Sequence, residues 1–220
     1  MSVWTFLTDP MNWTGADGIG TRLGTHAWVS ATAILTAALI ALPTGFALGH
    51  LRRGRVVAVA IANLTRAVPS LAVLAFVVAA GWGIGFVPTW LAMVALALPP
   101  IFVAALVGVA EVDDAVIDAA RGMGLRGHQI LRHVELPIAL PVVVSGLRVA
   151  AGQVIATATL GAFVGYNTLG RFITAGRANR DDAMLYSGVV IIVVAALIVD
   201  IALRGAAGRL SRWRPTTPRR

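Results

Sequence analysis

The 220-residue chain contains no cysteine and no lysine, and only 13% of its residues are charged. Without cysteine, disulfides and thiol chemistry are excluded and a structural zinc site is not expected. Without lysine, the phosphate-binding pattern G-x-x-x-x-G-K-[ST] cannot occur, so ATP hydrolysis would need another subunit. The four histidines form neither H-E-x-x-H nor an i, i+4 ligand pair. We therefore predict no metal site, no bound cofactor and no catalytic residues.

Apolar residues are abundant instead, and they come in long runs. Hydrophobic residues make up 58% of the chain, and its mean hydropathy is +0.82. One helical crossing of a bilayer needs about 20 apolar residues. The sequence therefore predicts an all-α integral membrane protein with about five transmembrane helices, at residues 28–48, 56–80, 90–109, 138–163 and 184–203.

The arginines indicate the orientation of these spans. With five spans, twelve arginines fall on one side of the membrane and four on the other. By the positive-inside rule the richer side is cytoplasmic, so the N-terminus is outside and the C-terminus inside a cell membrane. The predicted organisation is an extracytoplasmic segment at 1–27, a transmembrane domain at 28–203 with a cytoplasmic loop at 111–137, and an arginine-rich tail at 204–220. These sixteen arginines lie outside the spans, so they predict anchoring at membrane lipid and no nucleic-acid binding.

The loop carries the most polar stretch of the chain, DAARGMGLRGHQILRHVELP at residues 118–137. Asp113 or Asp114 can cap a short helix, three glycines permit a sharp turn, and a second amphipathic helix follows. Its G-x-G-x-x-G match follows a helix-forming run instead of a strand, so we interpret it as chance and not as a dinucleotide site. An ordered helix, turn and helix predicts a docking surface for a partner, whereas the simpler alternative is a solvated connector.

The same stretch resembles a known motif. Asp118, Ala119 and Ala120, then Gly124, then Val134, Leu136 and Pro137 fit the EAA pattern, E-A-A-x3-G-x9-I-x-L-P, of permease subunits of binding-protein-dependent ABC importers. Asp118 replaces the usual Glu, and Val134 replaces the usual Ile. The resemblance implies the type I importer permease fold and coupling helices that dock on cytoplasmic ATPase subunits, which bind ATP and Mg. The implied coupling residues are Asp118, Ala119, Ala120, Gly122, Gly124, Leu125, Arg126, Gly127, Leu136 and Pro137.

Further stretches resemble the permeases of quaternary-amine osmoprotectants. RAVPSLAVLAF at residues 66–76 and the segment 120–173 carry this likeness, although GYNTLG at 165–170 replaces the family's usual G-A-G-G-L-G. The resemblance implies import of a compatible solute such as glycine betaine, choline, carnitine or proline betaine. It also implies an extracytoplasmic solute-binding protein. Because about five spans are few for an enclosed pathway, we expect a second permease subunit, identical or paralogous. Because an aromatic cage suits a quaternary ammonium and aromatic residues are few inside the spans, we expect the high-affinity site on that binding protein. Importers of methionine or another amino acid are the alternative within this class.

Polar residues inside the spans are candidates for a pathway or gate. They are Asn63, Arg66, Pro69, Ser70, Gln153, Thr157 and Thr159. Arg66 either lines a pathway or pairs with a buried acid or carbonyl, and the threonines either line a pore or bond within and between helices. Pro69 is expected to bend the second span.

Other spacings predict contacts between and along helices. Gly45 with Gly49 and Gly161 with Gly165 are small-xxx-small pairs that predict close helix packing. Asp200 and Arg204 are spaced for an ion pair along one helix.

Three classes of function fit a membrane chain of this kind. A transport subunit accounts for the spans, the ordered loop and the lack of catalytic residues. A membrane enzyme would need a convergent set of acids, histidines or a metal site at one interface, which the sequence does not offer. A stand-alone channel or membrane scaffold would not need an ordered docking loop.

Overall fold

The computed structural model describes residues 2–54, 56, 58, 60, 61 and 68–211, and every regular element within them is helical. The helices are α1 (Val3–Thr8), α2 (Ile19–His50), α3 (Ser70–Ala79), α4 (Phe86–Ala110), α5 (Asp114–Gly122), α6 (Gly127–Ile130), α7 (Leu136–Ala158), α8 (Gly170–Asn179) and α9 (Asp182–Ser211). Tighter 3-10 turns cover Pro10–Asn12 and Thr159–Val164, and a π turn covers Leu131–Glu135. The predicted all-α fold is confirmed.

Among the described residues, four helical segments are long and apolar enough to cross a bilayer: Ile19–His50, Phe86–Ala110, Gly127–Val164 and Asp182–Arg209. Each contains one predicted span and extends beyond it, because a helix satisfies its own backbone groups and can continue past the apolar core. The first begins at Ile19 instead of residue 28. Its start is set by Gly18, where a Cβ would lie 2.3 Å from the Thr14 carbonyl oxygen.

Hydrogen bonds between distant residues show which helix ends lie together. At one end of the bundle, called here the loop end, the Arg52 guanidinium donates to the carbonyl of Ala110. At the opposite end the Gly85 N–H donates to the Val164 carbonyl at 2.7 Å. Thus α2 and α4 both end at the loop end, and α7 starts there and runs to the opposite end.

A further apolar helix lies within the predicted second span. Helix α3 is ten residues long and apolar, but it is shorter than a full crossing. Residues 62–67, which precede it, lie outside the described residues. Four of the predicted spans are therefore confirmed, and the second remains a prediction.

The helices of the core meet at glycines. A Cβ on Gly45 of α2 would lie 2.6 Å from the Cβ of Ala105, and one on Gly146 of α7 would lie 2.2 Å from the Cβ of Ala104. Gly49, one turn after Gly45, makes a similarly close approach to α4. Helix α4 is therefore held between two neighbours at backbone distance. The predicted packing role of Gly45 and Gly49 is confirmed.

The prediction for the second glycine pair is only half correct. A Cβ on Gly161 would lie 2.8 Å from Thr89, as close packing requires, but Gly165 has open space around it. Gly165 instead has a φ of +81° and ends the Thr159–Val164 turn in the left-handed region. Glycine is needed at position 165 for this backbone conformation and not for a contact between helices.

An ion pair joins two helices within the membrane-spanning part. Asp200 of α9 accepts from the Arg148 guanidinium of α7 at 2.7 Å and 2.9 Å. The predicted pairing of Asp200 with Arg204 along one helix is wrong, because a charge inside the apolar region is better satisfied by a guanidinium that donates twice from the facing helix. This pair fixes α9 against α7.

The glycine contacts generate a stability prediction. Gly45→Ala should destabilise the fold by about 1–3 kcal/mol, the usual cost of overpacking a close contact, and lower the apparent melting temperature of the purified protein in detergent. The control is Gly152→Ala in α7, where a Cβ meets nothing within 4 Å. Alanine there should leave the melting temperature unchanged or raise it, because glycine is a poor helix former. Equal melting temperatures for the two variants would contradict the close contact at Gly45.

Candidate functional site

The loop at residues 111–137 begins with a capped helix. The Asp113 carboxylate accepts from the Ala115 N–H at 2.9 Å at the start of α5. The helix ends where Gly124 takes a φ of +85°, and the Leu125 N–H donates back to the Ala120 carbonyl at 3.1 Å. Gly124 therefore makes the reversal that separates α5 from α6, as the glycine pattern predicts.

One side of this loop packs on the bundle and the other faces outward. Its inner side forms an apolar floor that consists of Val112, Ile117, Ala120 and Ile130, with Leu125, Val134 and Ile138 against it. Its outer side presents Asp118 and Arg121, whose side chains form an exposed ion pair at 3.1 Å. Exposed ion pairs of this kind contribute little to stability. The loop is thus an ordered surface element whose polar face is available for contact.

The structure divides the predicted coupling residues by position. The exposed ones are Asp118, Ala119, Gly122, Gly124, Arg126, Gly127 and Pro137. Ala120 is buried in the apolar floor and Leu125 is half-buried against it. Leu136 and Pro137 begin α7, where proline is tolerated because the first turn needs no N–H donor. Ala120 and Leu125 therefore support the loop from within, while the exposed residues form its outer surface.

Polar residues at the end of α2 hold this loop at its base. His50 Nδ1 lies 2.5 Å from a carboxylate oxygen of Glu135, and Glu135 is only 2% exposed. Arg52 donates to the carbonyls of Ala110 and Val112. These residues are absent from the sequence-based predictions, because each partner lies more than fifty positions away and no local spacing connects them.

Two of the predicted pathway residues, Asn63 and Arg66, lie outside the described residues. Pro69 and Ser70 are described, and they begin α3. The Pro69 carbonyl accepts from the Ala72 N–H at 3.0 Å, so proline precedes the first helical turn. Pro69 has a ψ of 127°, outside the helical range, and proline at this position needs no N–H donor for the turn that follows. The expected bend of the second span at Pro69 stays a prediction, because residues 62–67, just before it, lie outside the described residues.

Gln153 lines a cavity between α4 and α7. The cavity has a volume of about 360 Å³, and its lining is mostly apolar apart from Gln153 and Ser145. The side-chain oxygen of Gln153 is buried without a hydrogen-bond partner. A buried polar atom is normally satisfied by protein, water or ligand. Gln153 is therefore the predicted pathway residue whose environment best fits contact with a polar molecule.

The two threonines are placed differently. Thr157 is buried, one turn beyond Gln153. Thr159 donates to the Ala156 carbonyl of its own helix at 2.6 Å. The structure therefore brings Thr157 to the same side of α7 as Gln153, whereas the Thr159 hydroxyl is used locally.

A buried arginine organises the opposite end of the bundle. Arg22 donates from Nε to the Asn167 side-chain oxygen at 3.1 Å and pairs with Asp17 at 2.9 Å. Its guanidinium lies 4.4 Å from the centre of the Phe172 ring. Asn167 also donates to the Ala16 carbonyl. The departure from the family pattern at GYNTLG thus supplies a side chain that joins the N-terminal segment to this end.

The neighbouring Tyr166 belongs to an aromatic cluster at the same end. Its ring meets Phe86 edge-on at 5.7 Å, and Phe86 stacks on Trp90 at 6.3 Å. Burial raises the pKa of the Tyr166 phenol above its usual value. The cluster packs the start of α4 against the turn that follows α7.

Known proteins similar to this chain are permeases. The carnitine transport permease protein OpuCB of Listeria monocytogenes is 33% identical over 84% of this chain and 85% of its own length. The glycine betaine/carnitine/choline transport system permease protein OpuCB of Bacillus subtilis is 30% identical over 83% of both chains. The osmoprotectant import permease protein OsmY of Salmonella typhimurium is 33% identical over 84% of this chain and 79% of its own.

Solved structures of similar fold come from an inward-facing methionine ABC transporter, MetNI. One of its chains superposes with a TM-score of 0.77 at 21% identity, covering 92% of this chain and 99% of that chain. A second crystal form gives a TM-score of 0.72 at 22% identity. At these identities the likeness is one of fold, and it confirms the predicted importer permease fold.

The family described as "Binding-protein-dependent transport system inner membrane component" matches residues 33–213, which include the core helices and the whole loop. The chain belongs to this family of inner membrane transport components.

Proposed function

We propose that this chain is the permease subunit of an ATP-driven ABC importer that moves a compatible solute across the cell membrane. The proposed solutes are glycine betaine, choline, carnitine or proline betaine, delivered by an extracytoplasmic binding protein. The observation that carries the proposal is the ordered loop at 111–137, whose polar face is exposed at one end of an apolar bundle. The names of the relatives, which are 30–33% identical over most of the chain, support the solute class.

A methionine importer is the alternative within the same class. It is favoured by the likeness of fold to a methionine transporter, but at only 21–22% identity. The osmoprotectant permeases match at higher identity over a similar share of the chain. The solute class is therefore better supported by the relatives than by the fold.

The exposed residues of the loop are the proposed contact with the ATPase. Asp118, Ala119, Gly122, Arg126 and Gly127 would face a groove of that subunit, which binds ATP and Mg. Leu136 and Pro137 would pass the loop's movement into α7, since they begin that helix. Ala120, Leu125 and Gly124 would keep the loop's shape, through the apolar floor and the left-handed turn.

The proposed orientation places the loop end in the cytoplasm. Twelve arginines of the sequence belong to that side and four to the other, which supports an outside N-terminus and a cytoplasmic C-terminus. In this orientation residues 1–27 are extracytoplasmic and the tail at 204–220 lies at the inner lipid surface.

A second permease subunit, identical or paralogous, is the proposed lateral partner. The side chains of Arg148 and Asp200 remain 26% and 42% exposed in the single chain. Charged groups in contact with lipid are costly, so a neighbouring subunit that covered them would be favourable. The substrate pathway would then lie between two subunits, with Gln153 on its wall and Thr157 close behind.

The channel or scaffold alternative predicts no ATPase at the loop, and a cross-link tests this directly. The natural chain has neither cysteine nor lysine, so a thiol-to-amine cross-linker attached at Arg126→Cys has no lysine of its own chain to reach. We expect one cross-linked product with a nucleotide-binding subunit in native membranes. Arg177→Cys, exposed at the opposite end, is the control and should give no such product. A lack of product at position 126, in membranes where the variant is inserted normally, would contradict docking of the loop.

Gly124 provides a second test of coupling. Gly124→Ala forces a side chain into a left-handed turn, which costs about 1–2 kcal/mol, and should disturb the loop's outer surface. Gly81 is matched, since both glycines have positive φ and open space for a Cβ, but it lies at the opposite end. We expect Gly124→Ala to lower solute-stimulated ATP hydrolysis in liposomes and Gly81→Ala to leave it unchanged. Equal losses would indicate a general effect of strain on the fold.

Gln153 can be tested as a pathway residue by chemical labelling. In Gln153→Cys we expect a water-soluble trimethylammonium thiol reagent to react, because the cavity would admit a quaternary ammonium. The transported solute should slow this reaction. The control is Ile198→Cys, on the exposed side of α9 away from Asp200. It should not react, whether or not solute is present, because it would face lipid. If no candidate solute slowed the labelling of the Gln153→Cys variant, Gln153 would not lie in the pathway.

A further inference from the structure

The base of the loop is joined to α2 by a close contact between the side chains of His50 and Glu135. His50, the last residue of α2, places Nδ1 2.5 Å from Glu135. Glu135 lies in the π turn that leads into α7, and its side chain is almost fully buried. A buried carboxylate needs a charged or hydrogen-bonding partner. His50 supplies that partner, so the position of the π turn is tied to the end of α2.

The other edge of the imidazole touches the loop's second helix. A Cβ added to Gly127 would lie 3.3 Å from His50 Nε2. Gly127 begins α6, so the ring is wedged between the start of α6 and the π turn that follows it. His50 therefore contacts the loop on two sides, and glycine at 127 leaves room for this.

A second contact, just past the end of α2, holds the start of the loop. Arg52 adopts a left-handed φ of 53°, which directs the chain away from the helix axis. Its guanidinium donates to the carbonyls of Ala110 and Val112, the latter at 2.8 Å, and lies 3.2 Å from the Asp114 carboxylate. These groups are the end of α4 and the beginning of α5. The loop is thus bound to the end of α2 both where it leaves α4 and where it enters α7.

Packing between these two contacts is incomplete. A cavity of about 450 Å³ lies between them, lined by His50 and Arg52, by Asp114, Arg121 and Glu135, and by apolar floor residues. Where a cavity interrupts the packing, van der Waals contacts transmit less force. The contacts of His50 and Arg52 are therefore the polar connection from the end of α2 to the loop, beside the apolar cluster that Leu42 and Phe46 share with Leu131 and Leu136.

Stability alone is a poor explanation for this arrangement. The desolvation of buried polar side chains offsets much of what their contact contributes, and an apolar pair of similar size is often equally stable. A short, directional contact instead fixes the position of one helix relative to another. This is the property needed where a movement has to be passed between helices.

We infer that His50 and Arg52, together with Glu135, are positioning residues that make α2 follow the loop at 111–137 when a partner moves it. This rests on the proposed coupling function of the loop. Docking would displace the loop, and α4 and α7 would follow through the chain itself. Helix α2 has no such covalent link to the loop, so it would follow through these side chains together with its packing on α4 at Gly45 and Gly49.

The test uses the assembled complex of permease, ATPase and binding protein in liposomes, with solute uptake and ATP hydrolysis measured on the same vesicles. The variants are Glu135→Ala, His50→Ala, their double variant, and Arg52→Ala. We expect the number of solute molecules imported per ATP hydrolysed to fall about tenfold in each, within the usual range of coupling between sites. ATP hydrolysis and ATPase recovery should be retained. The double variant should be no worse than either single one, because both remove the same contact.

Two further variants complete the design. Arg53→Ala removes an exposed arginine next to Arg52 and should keep the normal uptake per ATP. Glu135→Gln keeps the shape of the side chain, so it remains informative if Glu135→Ala does not assemble, and it should lower uptake per ATP to an intermediate level.

Either of two results would overturn the inference. One is an unchanged uptake per ATP in all variants, and the other is a parallel fall of uptake and hydrolysis, which a purely structural role would give. Failure of the proposed function is distinguishable, because the unaltered complex would then show no hydrolysis stimulated by solute.

Discussion

The backbone-close contact of α4 with α2 on one side and α7 on the other is the constraint on which the rest of the structure depends. Helices in lipid gain little from the hydrophobic effect, since lipid tails are as apolar as their side chains. Close approach at small residues therefore has to supply the contact energy. Gly45 and Gly146 leave no space for a Cβ, and they hold three helices in one register. That register decides which loop residues meet at either end.

The segment Gly127–Val164 extends this constraint through the membrane. It is one continuous helical element of 38 residues, which corresponds to roughly 57 Å at 1.5 Å per residue. It begins in the exposed loop, passes α4 at Gly146, and ends where Val164 accepts from Gly85. The π turn near its start is the kind of irregularity that often occurs at functional positions. A displacement at the loop end can therefore be carried by one element to the opposite end.

The parts of this architecture that could be predicted from the sequence are those imposed locally or by lipid. Apolar runs predicted the spans, because only helices satisfy their backbone groups in a bilayer. Asp113 and Gly124 predicted the start and the reversal of the loop, since capping and a positive φ are properties of single residues. The bond from Glu135 to His50 could not be predicted, because it joins positions 85 residues apart.

The distribution of polar contacts explains how an apolar bundle can move in a defined way. Helices in lipid can slide without exposing apolar surface to water, so their displacement carries no large hydrophobic penalty. The direction of a helix displacement must then be set by directional contacts, namely hydrogen bonds and ion pairs. In the described part of this chain such contacts between helices concentrate at the two ends, around His50 and around Arg22, with Arg148 and Asp200 between them. Close packing in the core holds the helices together, whereas these few polar contacts determine which helices move together.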